Sequence, residues 1–191
     1  ILGKGYSPAD YALLCYGGGG PLHVGGYTEE VPYRDVLIPA WAAGFSAYGC
    51  ACAPFEYRYD QTIDLPIGAA GFGADDGTKA GIGAMVTGAW QGLEEKVAAE
   101  FAKSGVERDR ISYRHTVRMQ YYGQLNDIEI DSPHPALESA AHLDALIATF
   151  EDAYGKVFAR SARAPELGYL ITHAIVTGAV PVETPALPDI E

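Results

Sequence analysis

The sequence predicts an α/β protein whose two parts are built differently. Three observations carry that expectation. A short apolar run, four glycines, a proline-led helical segment and a second apolar run follow one another between Ala12 and Pro39, which is the order of a βαβ unit. Apolar residues then recur at three- and four-residue steps from Ile82 to Phe101. Strict alternation follows from Ile111 to Tyr121, the period of a strand with one covered face. With 191 residues, the chain can form one domain with a real core, or two small ones.

Taken in order, Ala12–Tyr16 is continuously apolar and is expected to be a strand covered on both faces, as in a parallel sheet. Gly17–Gly20 breaks it, and Pro21 suits the first helical position because its missing N–H is not needed there. Leu22–Glu30 is expected to be a helix, and Val36-Leu37-Ile38 a second buried strand ending at Pro39. Gly44–Ala53 is rich in small residues and suits a tightly packed helix. Phe55, Tyr57, Tyr59 and Ile63 alternate with Glu56, Arg58, Asp60 and Thr62, as in a half-exposed strand. The glycine-rich stretch 67–77 is the linker expected between an α/β part over 1–66 and an α+β part over 78–180. In the second part, the helix through Ile82, Val86, Leu93, Val97 and Phe101 should stop at Ser104-Gly105. Gly88 and Gly92 inside it either permit close backbone packing or mark a later helix start. Ile111, Tyr113, His115, Val117, Met119 and Tyr121 share one face of the long strand, with Leu125, Ile128 and Ile130 suggesting a partner strand. Leu143, Ile147, Phe150, Tyr154 and Phe158 predict a second amphipathic helix, and Leu170–Val176 a final strand. The tail 181–191 has too many prolines for regular structure.

The charge balance narrows the partners. The 13 basic and 25 acidic residues give −12, so neither nucleic acid nor an anionic membrane gains from meeting this surface. No apolar run approaches the ~20 residues of a membrane span. Cys15, Cys50 and Cys52 form no disulfide framework or metal-ligand spacing, which fits a reducing, cytoplasmic setting and small buried side chains.

The motif that carries chemistry is Gly17–Gly20 with His23. Bare backbone beside a helix start offers unpaired N–H groups to an anion, a phosphate above all. The other reading is a tight turn where backbone packs on backbone. No lysine with serine or threonine follows at P-loop spacing, and neither frame gives a dinucleotide fingerprint. His23, in the first turn, would polarise a carbonyl or touch a phosphate, or else simply pack. His134 and His142 are expected on the surface, and Arg114, Arg118, Asp127 and Glu129 in cross-strand ion pairs. No nucleophile, base and acid stand together, so no catalytic residue or metal ligand is assigned.

Gly17–His23 with Gly-Pro-Leu-His, Val36–Pro39, Phe45-Ser-Ala-Tyr-Gly49 and Arg118–Leu125 together resemble the hydantoinase A/5-oxoprolinase family, over nearly the whole chain. That family includes the nucleotide-binding large subunits of acetone and acetophenone carboxylases. The resemblance implies the second half of an actin/hexokinase-like (ribonuclease H-like) ATPase domain, followed by an α+β C-terminal domain. It implies a component of an ATP-dependent ketone carboxylase acting on a ketone and bicarbonate, with a cyclic-amide hydrolase or a non-catalytic assembly subunit as alternatives. Gly17, Gly18, Gly19, Gly20 and His23 would hold adenosine or phosphate. Mg2+ would come with ATP, held mainly by groups outside this chain. Family members are several times longer, so the partners implied are the first half of the ATPase domain and companion carboxylase subunits, and the chain alone should lack a complete ATP site.

Overall fold

The computed structural model describes residues 6–69 and 71–185, so Ala70, Ile1–Gly5 and the end of the proline-rich tail fall outside the description. The chain divides into two compact units, one of residues 1–55 with 181–191, the other Glu56–Val180.

In the first unit, β1 (Ala12–Leu14) pairs in parallel with β2 (Asp35–Leu37), as the βαβ order requires. The crossover is shorter than expected. Two short helices, α1 (Gly19–Leu22) and α2 (Val24–Thr28), replace one continuous helix. They meet at His23, whose backbone (φ −104°, ψ 8°) lies outside the helical region. Four glycines and a proline among the nine residues of α1 and α2 leave little to hold one long helix together. α3 (Phe45–Cys52) follows. Packing departs from expectation: β1, β2 and α3 contain no fully buried residue, and among the described residues of this unit Cys15 is the one fully buried side chain. Cys50, expected to be buried, is exposed. A two-stranded parallel sheet has no second layer of its own to cover it.

The second unit has a closed core. A four-stranded sheet has the order β3-β6-β4-β5, with β3 (Phe55–Ile67), β4 (Ser112–Tyr121), β5 (Ile128–Asp131) and β6 (Tyr169–Val180). β4 lies antiparallel to both β5 and β6. The register slips once: Arg118 faces His173 while Met119 faces Ile171, so Thr172 bulges. α4 (Asp76–Lys103) and α5 (Ala140–Phe158) lay Ile82, Val86, Trp90, Leu93, Val97, Phe101, Leu143, Leu146, Phe150 and Tyr154 against Val117, Met119, Tyr121 and Ile171. Both helices start on a side-chain cap: the Asp75 carboxylate accepts from the Thr78 N–H, and the Ser139 hydroxyl from the His142 N–H. α4 stops where its sequence says, at Ser104-Gly105. Neither expectation for Gly88 and Gly92 holds, because α4 runs through both and a Cβ at either would meet nothing within 4 Å. The close approach is at Gly83, where a Cβ would sit 2.7 Å from the Leu137 carbonyl oxygen.

Charged pairs line the other sheet face. Arg58 binds Glu129 through two hydrogen bonds of 2.9 and 2.7 Å, Arg114 lies 3.6 Å from Asp131 and Arg118 3.7 Å from Asp127. Cross-strand pairing was legible, although Arg58 as a partner was not. His134 and His142 are half-buried and stacked at 4.0 Å rather than free on the surface, because the loop before α5 folds back on its first turn.

Candidate functional site

The glycine corner begins where β1 ends. Cys15 donates its N–H to Leu37 O at 2.9 Å, and Gly17 donates to Ala42 O at 2.8 Å, so the chain between is fixed against β2 and the turn that precedes α3. Gly17 has φ +79°, a conformation that costs an L side chain free energy. Gly18 then returns to the right-handed region (φ −72°, ψ −54°). A change from positive to negative φ between successive residues is a feature of anion-binding nests. Among the described residues, no acceptor meets the N–H groups of Gly18, Gly19 or Gly20. A Cβ at any of Gly17–Gly20 would meet nothing within 4 Å, so the main chain is open rather than packed on other backbone.

The surroundings differ from the sequence expectation in two ways. α1 starts at Gly19, which puts Pro21 at its third position rather than its first. With four residues it sums few peptide dipoles, so the main-chain N–H groups remain as the attraction, without a helix macrodipole. His23 caps the end of α1, not its first turn; its N–H donates to Gly19 O (3.2 Å) and Gly20 O (3.3 Å), and its side chain is exposed. The structure thus ties His23 to the glycine turn through its backbone.

An aromatic cluster beside the corner was not singled out. Tyr16 precedes Gly17 directly, and its ring lies 5.0 Å from Phe45, whose ring is tilted against Trp41 at 4.9 Å. Tyr48 meets Trp41 edge-on at 5.3 Å. The spacing Trp41, Phe45, Tyr48 is the helical signal that could have found it. Leu14, Val36, Leu37 and Ile38 are exposed next to it, Leu37 by 53%.

The Arg118–Leu125 motif has a different part. Tyr121 is buried, and it and Tyr169 donate their hydroxyls to the same Glu151 Oε1, at 2.8 and 3.0 Å. Burial first, then those hydrogen bonds, push both phenols well above the usual tyrosine range. Tyr154 donates to Gln124 Oε1 at 3.0 Å, and Arg163 reaches Glu151 Oε2 at 3.6 Å. These contacts clamp the turn to α5. Among the described residues no three His, Cys, Asp or Glu side chains converge as metal ligands.

The family profile described as hydantoinase/oxoprolinase C-terminal domain covers residues 73–191, and that described as hydantoinase/oxoprolinase covers 1–59. The chain belongs to the hydantoinase/oxoprolinase family. The acetone carboxylase beta subunit of Xanthobacter autotrophicus is 47% identical over 188 residues, 98% of this chain and 26% of that protein. The caprolactamase subunit alpha of Pseudomonas jessenii is 28% identical over 159 residues, 83% of this chain and 21% of that protein. A nucleotide-free acetone carboxylase structure, from work on ATP-dependent acetone carboxylation, superposes over 100% of this chain and 26% of its own, with TM-score 0.78 and 46% identity. The chain therefore spans about a quarter of the length of the relatives it matches. The expected fold class, the later part of an actin-like ATPase domain followed by an α+β domain, is the one it shares with them. No helix among the described residues is long and apolar enough to cross a membrane.

Proposed function

We propose that this chain is part of the nucleotide-binding subunit of an ATP-dependent ketone carboxylase of the acetone or acetophenone type. One observation carries the choice: identity to the acetone carboxylase beta subunit is 47% over nearly the whole chain, against 28% to the caprolactamase subunit. A cyclic-amide hydrolase is the second reading, favoured by that latter relative.

On this reading Gly17–Gly20 present open main chain to ATP, with His23 at the rim. Between residues 5 and 57 Arg34 is the sole lysine or arginine, and it is paired with Asp35 at 3.0 Å. This segment therefore offers little positive charge to a triphosphate. It contributes contacts through N–H groups, while Mg2+ and cationic groups come from elsewhere. The exposed faces of β1 and β2 support the same division: the remainder of the ATPase domain would cover them and extend the sheet. On this reading the residues up to Phe55 belong to the later portion of that domain, and Glu56–Val180, whose sheet includes β3, to the C-terminal domain. Ketone and bicarbonate would be bound with companion subunits, in the cytoplasm.

The test is turnover by the assembled enzyme. ATP consumption that requires both bicarbonate and a ketone is expected. ATP-dependent ring opening of a cyclic amide, without bicarbonate, would replace this reading with the second. The 191-residue chain alone should bind ATP poorly, and tight binding by it would contradict the divided site.

A further inference from the structure

We propose that the segment from Pro181 to Pro185 is a strap that holds α3 and, through Tyr48, steadies the aromatic cluster beside the glycine corner. The link to nucleotide binding rests on the reading above. Two prolines set up the strap. Pro54 stands just before β3 and Pro181 just after β6, and neither has an N–H to extend a ladder.

The two prolines mark the same end of the sheet. β3 and β6 are hydrogen-bonded neighbours, and contacts fall along β6 as they rise along β3. The Tyr57 ring meets Phe101 at 4.8 Å, one helical turn from Val97, which leaves no room for a Cβ at Gly178. Thr62 Oγ1 lies 3.2 Å from His173 Nε2. Gly68 and Ala69 press on Gly168. β3 therefore runs antiparallel to β6, and the chain leaves β6 where it entered β3, directly after α3. The residues after Val180 accordingly group with the first unit rather than with the sheet they leave.

There the strap meets α3. The Tyr48 hydroxyl donates to the Pro185 carbonyl oxygen at 3.2 Å. The Tyr48 ring lies 5.3 Å from Trp41 and 6.3 Å from Phe45, and Phe45 lies 5.0 Å from Tyr16, the residue before Gly17. Ala42, next to Trp41, accepts the Gly17 N–H at 2.8 Å. The path from strap to corner thus runs ring on ring and ends in a main-chain hydrogen bond. Among the described residues of this unit Cys15 is the one fully buried side chain, so α3 depends on peripheral contacts of this kind. Pro181 and Pro185 restrict the free chain, so seating the strap costs less entropy than seating an ordinary segment.

The experiment uses the assembled enzyme, with local hydrogen exchange and calorimetric titration of ATP as paired readouts. Replacing Val182–Pro185 by Gly-Ser-Gly-Ser should speed amide exchange in α3 about tenfold and leave α4 unchanged. ATP affinity should weaken about threefold or more. Tyr48→Ala should show both effects. Tyr48→Phe loses the hydrogen bond but keeps the ring, so its α3 exchange should rise while its ATP affinity stays within about twofold of wild type. Unchanged α3 exchange in the strap replacement, or an equal rise in α4, would overturn the strap. Wild-type affinity in both the strap replacement and Tyr48→Ala would overturn its link to the corner. No measurable ATP binding by the wild-type assembly would instead overturn the nucleotide reading, and exchange alone would then decide the strap.

Discussion

Replacing Glu151 probes the clamp that holds the Arg118–Leu125 turn. Its Oε1 accepts from the Tyr121 and Tyr169 hydroxyls at 2.8 and 3.0 Å, and Arg163 Nε lies 3.6 Å from Oε2. Leucine at 151 leaves two largely buried hydroxyls without their acceptor and removes the carboxylate that pairs with the Arg163 guanidinium. Each unsatisfied hydroxyl costs about 1–2 kcal/mol, and loss of the charged partner adds about 1. The sum is about 3–5 kcal/mol, a large share of the ~5–15 kcal/mol that holds a typical domain together. Glu151→Gln keeps an acceptor and should cost about 1–2 kcal/mol. Urea unfolding followed by Trp90, which is buried in the second unit, reads both values in a Trp41→Phe background. A Tyr169→Phe partner variant should show coupling of more than about 0.5 kcal/mol. If Glu151→Leu costs less than about 1 kcal/mol, the network is not what fixes this turn.

Three further outcomes follow from particular side chains. Tyr121 and Tyr169 have phenols raised by burial and by Glu151, so the folded state holds their protons longer than the unfolded one. Their contribution to stability is full below the ordinary tyrosine value of about 10 and is lost as pH climbs towards the raised folded values; absorbance at 295 nm should leave at least two of the 13 tyrosines un-ionised at a pH near 11, and their release with the others would refute this. Gly83→Val should destabilise by about 1–3 kcal/mol through the Leu137 carbonyl, whereas Gly88→Ala, with open space around it, should stabilise by up to about 1 kcal/mol in thermal melts. Glu129 is held below the usual carboxylate range by its hydrogen bonds to Arg58 and then by the charges of Arg58, Arg118 and Arg114. Its contribution exists above the unfolded carboxylate value of about 4.3 and fades as pH falls, so the difference between wild type and Glu129→Gln, about 1 kcal/mol or less for a partly exposed pair, should vanish in acid melts.

Much of the second unit was legible in the sequence because its periodicities are strong. Ile82 to Phe101 gave α4 and its Ser104-Gly105 stop, and alternation from Ile111 to Tyr121 gave both faces of β4. The first unit was less legible. Apolar runs at Ala12–Tyr16 and Val36–Ile38 read as buried strands, and pattern alone says nothing about which chain buries them. The break at His23 was hidden by the same glycines that made the corner visible. Arg58 pairing with Glu129 and the Glu151 clamp join residues far apart in sequence, where no local period reports them. At the candidate site, the open backbone of Gly17–Gly20 was readable from composition, while the aromatic cluster required the turn at Ala42 to bring Tyr16 beside Phe45.

Gly17–Gly20 as part of a nucleotide site is tested most directly by calorimetric titration of ATP into the assembled enzyme carrying Gly19→Val. Beyond its chain neighbours and its own helix backbone, a Cβ at Gly19 meets nothing within 4 Å, so the substitution adds bulk beside the open N–H groups without displacing packed neighbours. ATP affinity is expected to fall about tenfold or more with the assembly intact. Wild-type affinity in that variant would contradict a nucleotide at this corner.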